Sequence, residues 1–438
     1  MKKESKLALL AISGVPLIMV LGNSMLIPVL PAIKNDLNLT QFQVSLVITL
    51  FSVSAGLIIP LTGFLSDRFS RKKIIVPSLL LYGLGGLIGG FAAVILKQNA
   101  YPLLLGGRVI QGLGAAGTAP IAMALVGDLF KGKERSKSLG IIEASNGSGK
   151  VISPILGAAV GLIAWYATLF LFPLLTIPIA AGMWFLVKEP GTTKEPPSIK
   201  EYLGSIKDIF SKKLSTLATS FFSGMVALLI LFGVLFFLSD YLESSLSMFG
   251  IIKGLALAVP VLFMATTSYL TGLLIKKKIK LMKYLVVGGL SIIGISLAML
   301  SFNKSLIPFY IFISLAGIGT GLVLPPLNTI ITSSTGKDKR GLVTSLYGSV
   351  RFLGVAAGPP LFGVLMDISI DAMFWTTAGL GLIAAGLAMA FIKIEDLKDK
   401  EQKKAPAPKK GGQAKEFAFE TGTLGSREKE MDKQKNQT

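Results

Sequence analysis

Twelve apolar stretches, each long enough to cross a bilayer as a helix, run through this 438-residue sequence. A crossing takes roughly 20 helical residues. The stretches lie at Leu7–Ile33, Phe42–Leu65, Ile74–Leu96, Tyr101–Phe130, Leu139–Leu162 and Trp165–Val187, then at Leu217–Leu238, Ile251–Ile275, Tyr284–Phe302, Leu306–Ile331, Leu342–Met366 and Met373–Ile392. Hydrophobic residues make up 52% of the chain and charged residues 16%, more apolar surface than one water-soluble core can absorb. The expected fold class is therefore an all-α membrane protein of twelve transmembrane helices. The 48 glycines fit that reading, because small residues let helix backbones approach closely in lipid. The first stretch follows Lys2, Lys3 and Lys6 as a signal peptide would, but it is too long and lacks a small-residue cleavage site, so it is expected to stay as a helix.

Basic residues alternate from loop to loop. Arg68, Arg71, Lys72 and Lys73 follow span two, Lys131, Lys133, Arg135 and Lys137 follow span four, and Lys276, Lys277, Lys278, Lys280 and Lys283 follow span eight. The odd-numbered loops carry at most one Lys each. The positive-inside rule then places the even loops and both termini in the cytoplasm of a bacterial-type cell (inner or plasma) membrane. The net charge of +20 is thus largely topology, with acidic lipid headgroups as its neighbours. No basic module with interleaved aromatics suggests nucleic acid. With no Cys and no His, disulfides, thiolate chemistry and the usual metal ligands are excluded, and proton handling falls to Asp and Glu.

Four markers recur at an offset of about 205 residues: Arg71-Lys72-Lys73 with Lys276-Lys277-Lys278, Pro120 with Pro325, Arg135 with Arg340, and Pro154 with Pro359. Such a repeat predicts two pseudo-symmetric six-helix halves with a substrate path between them. The expected divisions are an N-terminal half over 1–187, a cytoplasmic linker over 188–214 bearing Pro190, Pro196 and Pro197, a C-terminal half over 215–394, and a disordered cytoplasmic tail over 395–438.

After span two comes Gly63-Phe64-Leu65-Ser66-Asp67-Arg68-Phe69-Ser70-Arg71-Lys72-Lys73. Span four carries Arg108-Val109-Ile110-Gln111-Gly112-Leu113-Gly114-Ala115-Ala116, and span five carries Gly149-Lys150-Val151-Ile152-Ser153-Pro154-Ile155-Leu156-Gly157-Ala158. These resemble three motifs of the major facilitator superfamily: its G-x-L-x-D-R-x-G-R-K loop, its R-x-x-Q-G-x-G-A-A helix and the G-x-x-x-G-P-x-x-G-G helix of its 12-helix drug:proton antiporter branch. Ser70, Ser153 and Ala158 stand where Gly is usual. The resemblance implies alternating-access export driven by protons, with Asp67, Arg71 and Asp128 as a cytoplasmic charge cluster. It also implies helix packing at Gly63, Gly112, Gly149, Pro154, Gly157, Gly358 and Pro359.

Charges inside the membrane speak without the resemblance, since each costs a few kcal/mol unless it faces a cavity or a partner. By helical rise Lys150 lies roughly 16 Å into span five, Arg108 about 10 Å below the outer end of span four and Arg351 about 14 Å up span eleven. Glu143, two turns before Lys150, is the carboxylate expected among them. Proton coupling or conformational roles thus fall to Asp67, Arg71, Arg108, Asp128 and Glu143. Asn23, Met25, Lys150, Asn328 and Arg351 are the candidates for the substrate cavity, with the aromatics Phe221, Phe222, Phe232, Phe236, Phe237 and Tyr269 as further candidates. Excess positive potential favours an anionic or neutral amphipathic small molecule.

The expected function is proton-coupled, multidrug-efflux-like export, needing no cofactor and no metal. No Walker-type loop suggests direct ATP drive, and no nucleophile and base pair suggests an enzyme. The alternatives are a dedicated exporter of an endogenous anionic metabolite such as a siderophore, and a lipid or glycolipid flippase.

Overall fold

A computed structural model describes residues 3–189, 199–275, 279–302, 305–334 and 340–393. The expected tail over 395–438, the Lys276–Lys278 run and Pro190, Pro196 and Pro197 lie outside the described residues. Those described form helices and no strand. In order they are α1 (Lys3–Ser24), a 3-10 turn (Ile27–Val29), α2 (Leu30–Asp36), α3 (Gln41–Arg68), α4 (Arg71–Leu96), a second 3-10 turn (Lys97–Asn99), α5 (Tyr101–Ala116), α6 (Ala119–Leu129) and α7 (Gly132–Gly161). There follow α8 (Ala167–Leu186), α9 (Ile199–Ser244), α10 (Gly250–Ile275), α11 (Ile279–Phe302), α12 (Leu306–Ser333), α13 (Arg340–Ile368) and α14 (Ile370–Phe391).

Local chemistry explains the divisions. Pro28 and Pro31 sit at the starts of the 3-10 turn and of α2, where a missing N–H is tolerated, so span one is bent. Span four is likewise broken between α5 and α6, with Gly117 and Thr118 at the break and Pro120 in the first turn beyond it. Thr40 and Gln43 form a reciprocal capping box that starts α3. Helix α9 departs from helical angles at Lys213 (φ −142°, ψ 34°), which separates a preceding helical stretch from span seven.

By length and composition, eleven helices among the described residues can cross a membrane. The twelfth crossing is α7. Glu143, Asn146, Lys150 and several Ser and Gly residues lower its hydropathy below that of its neighbours.

Packing repeats the sequence symmetry. Span three rests on spans four and six (α4 on α5 and α8), as span nine rests on spans ten and twelve (α11 on α12 and α14). Between the halves, α3 packs on α13 and α7 on α10, and a two-fold exchange of halves turns one pair into the other. Inside the first half Tyr82 is fully buried, with edge-on contacts to Phe51 and Phe172 and its hydroxyl donating to the Ile18 carbonyl at 3.0 Å. Twelve crossings put the start of α1 and the end of α14 on one face, here the terminal face; the opposite one is the far face.

Candidate functional site

At the terminal face, Arg71 in the first turn of α4 pairs with Asp67 at 3.1 Å and donates through Nε to Asp128 of α6. The guanidinium is 19% exposed and the carboxylates 47% and 45%, so the cation is the sheltered member. Glu189, absent from the sequence expectations, completes the site. Its carboxylate accepts from Ser70 Oγ at 2.5 Å and from the backbone N–H groups of Arg71 and Lys72 at 2.9 and 3.0 Å. Lys72 in turn donates to the Val187 carbonyl and lies over the Trp184 ring. The end of α8 is thereby fastened to the start of α4.

Arg108 is fully buried on α5. It donates to the carbonyls of Val47 and Gly22 at 2.8 and 2.9 Å and to Gln111 Oε1, and its guanidinium lies 4.4 Å from the centre of the Phe51 ring. Asn23 accepts from Ser52 Oγ at 3.3 Å, and Met25 is fully buried. Arg108, Asn23 and Met25 thus belong to the packed junction of α1, α3, α5 and α7.

Glycines close these junctions. A Cβ at Gly157 would fall on the Met25 carbonyl, one at Gly112 on the Phe51 carbonyl and Ser54 Oγ, and one at Gly358 on the Leu229 carbonyl. At Gly63 it would meet Ser345 Oγ at 2.9 Å and at Gly149 Leu17 Cδ1 at 2.9 Å. The Pro154 carbonyl lies where Gly254 of α10 leaves room, and Pro359 lies within α13, one residue beyond Gly358.

Lys150 on α7 and Arg351 on α13 belong to opposite halves, and the charge of one reaches the other. Lys150, partly buried on α7, feels the fields of Arg351 on α13 and of Glu143 one face-repeat before it. Neither Lys150 nor Glu143 is in an ion pair among the described residues. The Arg351 guanidinium lies 5.4 Å from the Tyr347 ring centre, while its Nε, the Tyr347 hydroxyl and Asn146 Oδ1 are buried without hydrogen-bond partners. Unsatisfied polar groups of this kind normally have a ligand or water to meet. Glu143 and Asn328 are exposed. Among the aromatics, Phe221 contacts the Tyr347 ring, Phe237 stacks on Tyr241, and Tyr269 is exposed. The three cations expected at one level therefore differ in their surroundings: Arg108 is fully buried and bonded to carbonyls of the first half, whereas Lys150 and Arg351 are partly buried, one on each half.

A second fully buried cation, beside Arg108, was not apparent from the sequence. Lys253, three residues into α10, is 2% exposed and binds Glu243 at 2.6 Å and the Pro28 carbonyl at 2.7 Å. A lysine near the start of span eight was the signal, but as a helix-end residue it read as solvated.

Comparisons place this geometry. The model of the Major Facilitator Superfamily matches residues 12–359 and 254–424. The bacillibactin exporter of Bacillus subtilis (strain 168) is 43% identical over 90% of this chain and 98% of its own length. Multidrug resistance protein 2 of the same organism is 24% identical, over 85% and 92% respectively. A solved bacterial homolog of the human lysosomal transporter Spinster superposes with a TM-score of 0.72 at 17% identity, covering 90% of this chain and 99% of that one. The motifs, the two-fold packing and these matches agree: the chain belongs to the major facilitator superfamily.

Proposed function

We propose that this protein exports a small anionic organic molecule of the siderophore type by alternating access, coupled to inward proton flow. The observation that carries the reading is a set of buried polar atoms without partners, Arg351 Nε, the Tyr347 hydroxyl and Asn146 Oδ1, together with Lys150 on the other half from Arg351 and within reach of its charge. Like charges on the two halves repel, and an anion bound between them would offset that repulsion more strongly where solvent is partly excluded than at a surface. Because they sit on opposite halves, one bound anion touches both moving bodies. The relative whose name gives bacillibactin as its cargo supports a dedicated substrate. The 24% identical multidrug protein favours the second reading, broad efflux of amphipathic compounds.

Glu143 is the proton carrier in this proposal, with Asp67 and Asp128 as terminal-face alternatives. Both termini and the basic loops lie in the cytoplasm, against anionic lipid. Inverted vesicles test the reading. Uptake of iron-free bacillibactin is expected to rise with an imposed pH gradient, to exceed uptake of neutral amphipathic dyes, and to lose its pH response in Glu143→Gln, which keeps the shape but cannot exchange a proton. Preferential cation export would overturn the anionic reading. Transport indifferent to the gradient would overturn proton coupling.

A further inference from the structure

At the far face the two halves are joined by an arrangement that begins with a proline. Pro31 has no N–H to offer the carbonyls three and four residues before it, those of Pro28 and Ile27. The Ile27 carbonyl accepts from the Leu30 backbone N–H within the 3-10 turn, and both carbonyls take donors from the other half: Ser239 Oγ of α9 donates to Ile27 at 2.7 Å, and Lys253 Nζ of α10 donates to Pro28 at 2.7 Å. A glycine lets the helices come this close, since a Cβ at Gly254 would lie 2.8 Å from the Pro154 carbonyl, Ile155 Cα and Ala158 Cβ of α7.

The charges around the ammonium are unevenly distributed. Glu243, 16% exposed, is on α9 and thus in the same half as Lys253. Asp240 of α9 reaches Lys34 of α2 at 4.0 Å, Asp36 of α2 accepts from Trp165 Nε1, and Tyr241 turns its ring to Phe309 of α12. The strong charge pair is therefore internal to the second half, and across the halves the ammonium makes a bond to a neutral carbonyl.

We propose that Lys253 is the latch of the far-face gate and that Glu243 is its permanent counter-charge. Opening separates Lys253 from Pro28 and Ser239 from Ile27 while the Lys253–Glu243 pair travels intact. No buried charge is left uncompensated at any point, which is the condition under which a sealed cation can move cheaply.

The chain has no Cys, so labels can be placed without background. Asn35 and Ser245 are exposed on the two sides of the latch. The experiment is pulsed electron-spin distance measurement on the full chain in lipid nanodiscs, with spin labels on Asn35→Cys and Ser245→Cys. The parent is expected to show mainly a short distance. Lys253→Met and Glu243→Gln should each raise the ratio of long to short populations at least about tenfold, the second because it strands a buried ammonium. Ser239→Ala should raise it a few-fold, as loss of one neutral bond does. Lys253→Arg, which keeps charge and reach, should stay near the parent and shows that the fold tolerates change at this position. A parent that is already open, Met and Gln variants indistinguishable from it, or an Arg variant as open as the Met variant would each overturn the latch.

Discussion

Glu189 caps the N-terminus of α4 by accepting from the backbone N–H groups of Arg71 and Lys72 at 2.9 and 3.0 Å, from 118 and 117 residues away. A carboxylate at a helix start satisfies orphan donors and meets the positive end of the helix dipole. The same turn of α4 presents Arg71 to Asp67 and Asp128, so Glu189 sets the orientation of the charge cluster without touching either acid.

Glu189→Ala is expected to cost about 1–2 kcal/mol, as loss of a helix cap does, and to lower the thermal midpoint of the purified protein. Asp128→Asn should cost less than about 1 kcal/mol, because its pair with Arg71 is half in solvent. Thermal unfolding of the two variants in one detergent checks the order. A larger loss for Asp128→Asn would mean that the cluster, not the cap, holds α4.

The glycine junctions make a sharper expectation. A methyl group at Gly157 or Gly112 would land on a backbone carbonyl, which cannot swing aside as a flexible side chain can. Gly157→Ala and Gly112→Ala should each force α1 or α3 outward and cost about 1–3 kcal/mol or more, the range for overpacked sites. Gly147→Ala, on α7 with open space beside it, should be nearly neutral. Monodisperse yield on size-exclusion chromatography separates the three.

Arg108 supplies three buried hydrogen bonds, to the Val47 and Gly22 carbonyls and to Gln111. Arg108→Met removes the donor that Arg108 adds to the Val47 and Gly22 carbonyls and should cost about 1.5–3 kcal/mol, the range for hydrogen bonds to a charged group. Lys in its place restores the charge but not the planar fork, so Arg108→Lys should recover only part of the loss. Equal stability of Arg108→Met and parent in a thermal shift assay would remove Arg108 from the packed junction and return it to the cavity.

What the sequence disclosed and what it hid follow the same physics. The crossings were legible because lipid demands runs of apolar residues, and the two-fold relation was legible because prolines and basic clusters recur at one spacing. Glu189 was not, because a cap made across more than a hundred residues leaves no local pattern and the residue looks like any polar linker position. The partners of Arg108 are carbonyls, which every residue has and no side chain announces. Lys253 was hidden by its place near a helix end, where a lysine normally reaches water; its burial follows from the Pro28–Pro31 bend of the opposite half. Span five was legible in its motif yet falls short of its neighbours in hydropathy, since the polar residues proposed to carry function replace the apolar ones.

The remaining expectation tests the substrate reading at its centre. Lys150 has no ion-pair partner among the described residues, and the positive charge of Arg351 on the other half reaches it. An anionic cargo would relieve that field, whereas a neutral cargo would gain nothing from it. Lys150→Met keeps the length of the stem and removes the ammonium, so transport of iron-free bacillibactin should fall about tenfold, the equivalent of 1.4 kcal/mol, while a neutral compound of similar size should be carried at the parent rate. Arg351→Met should act in the same direction, and the double variant should lose less than the sum, because each cation binds more weakly to the anion when the other is gone. Rates for both cargoes at matched expression decide the matter. Equal loss for both would make Lys150 a structural or coupling residue, and additive losses would place the two cations at separate anion sites instead of one.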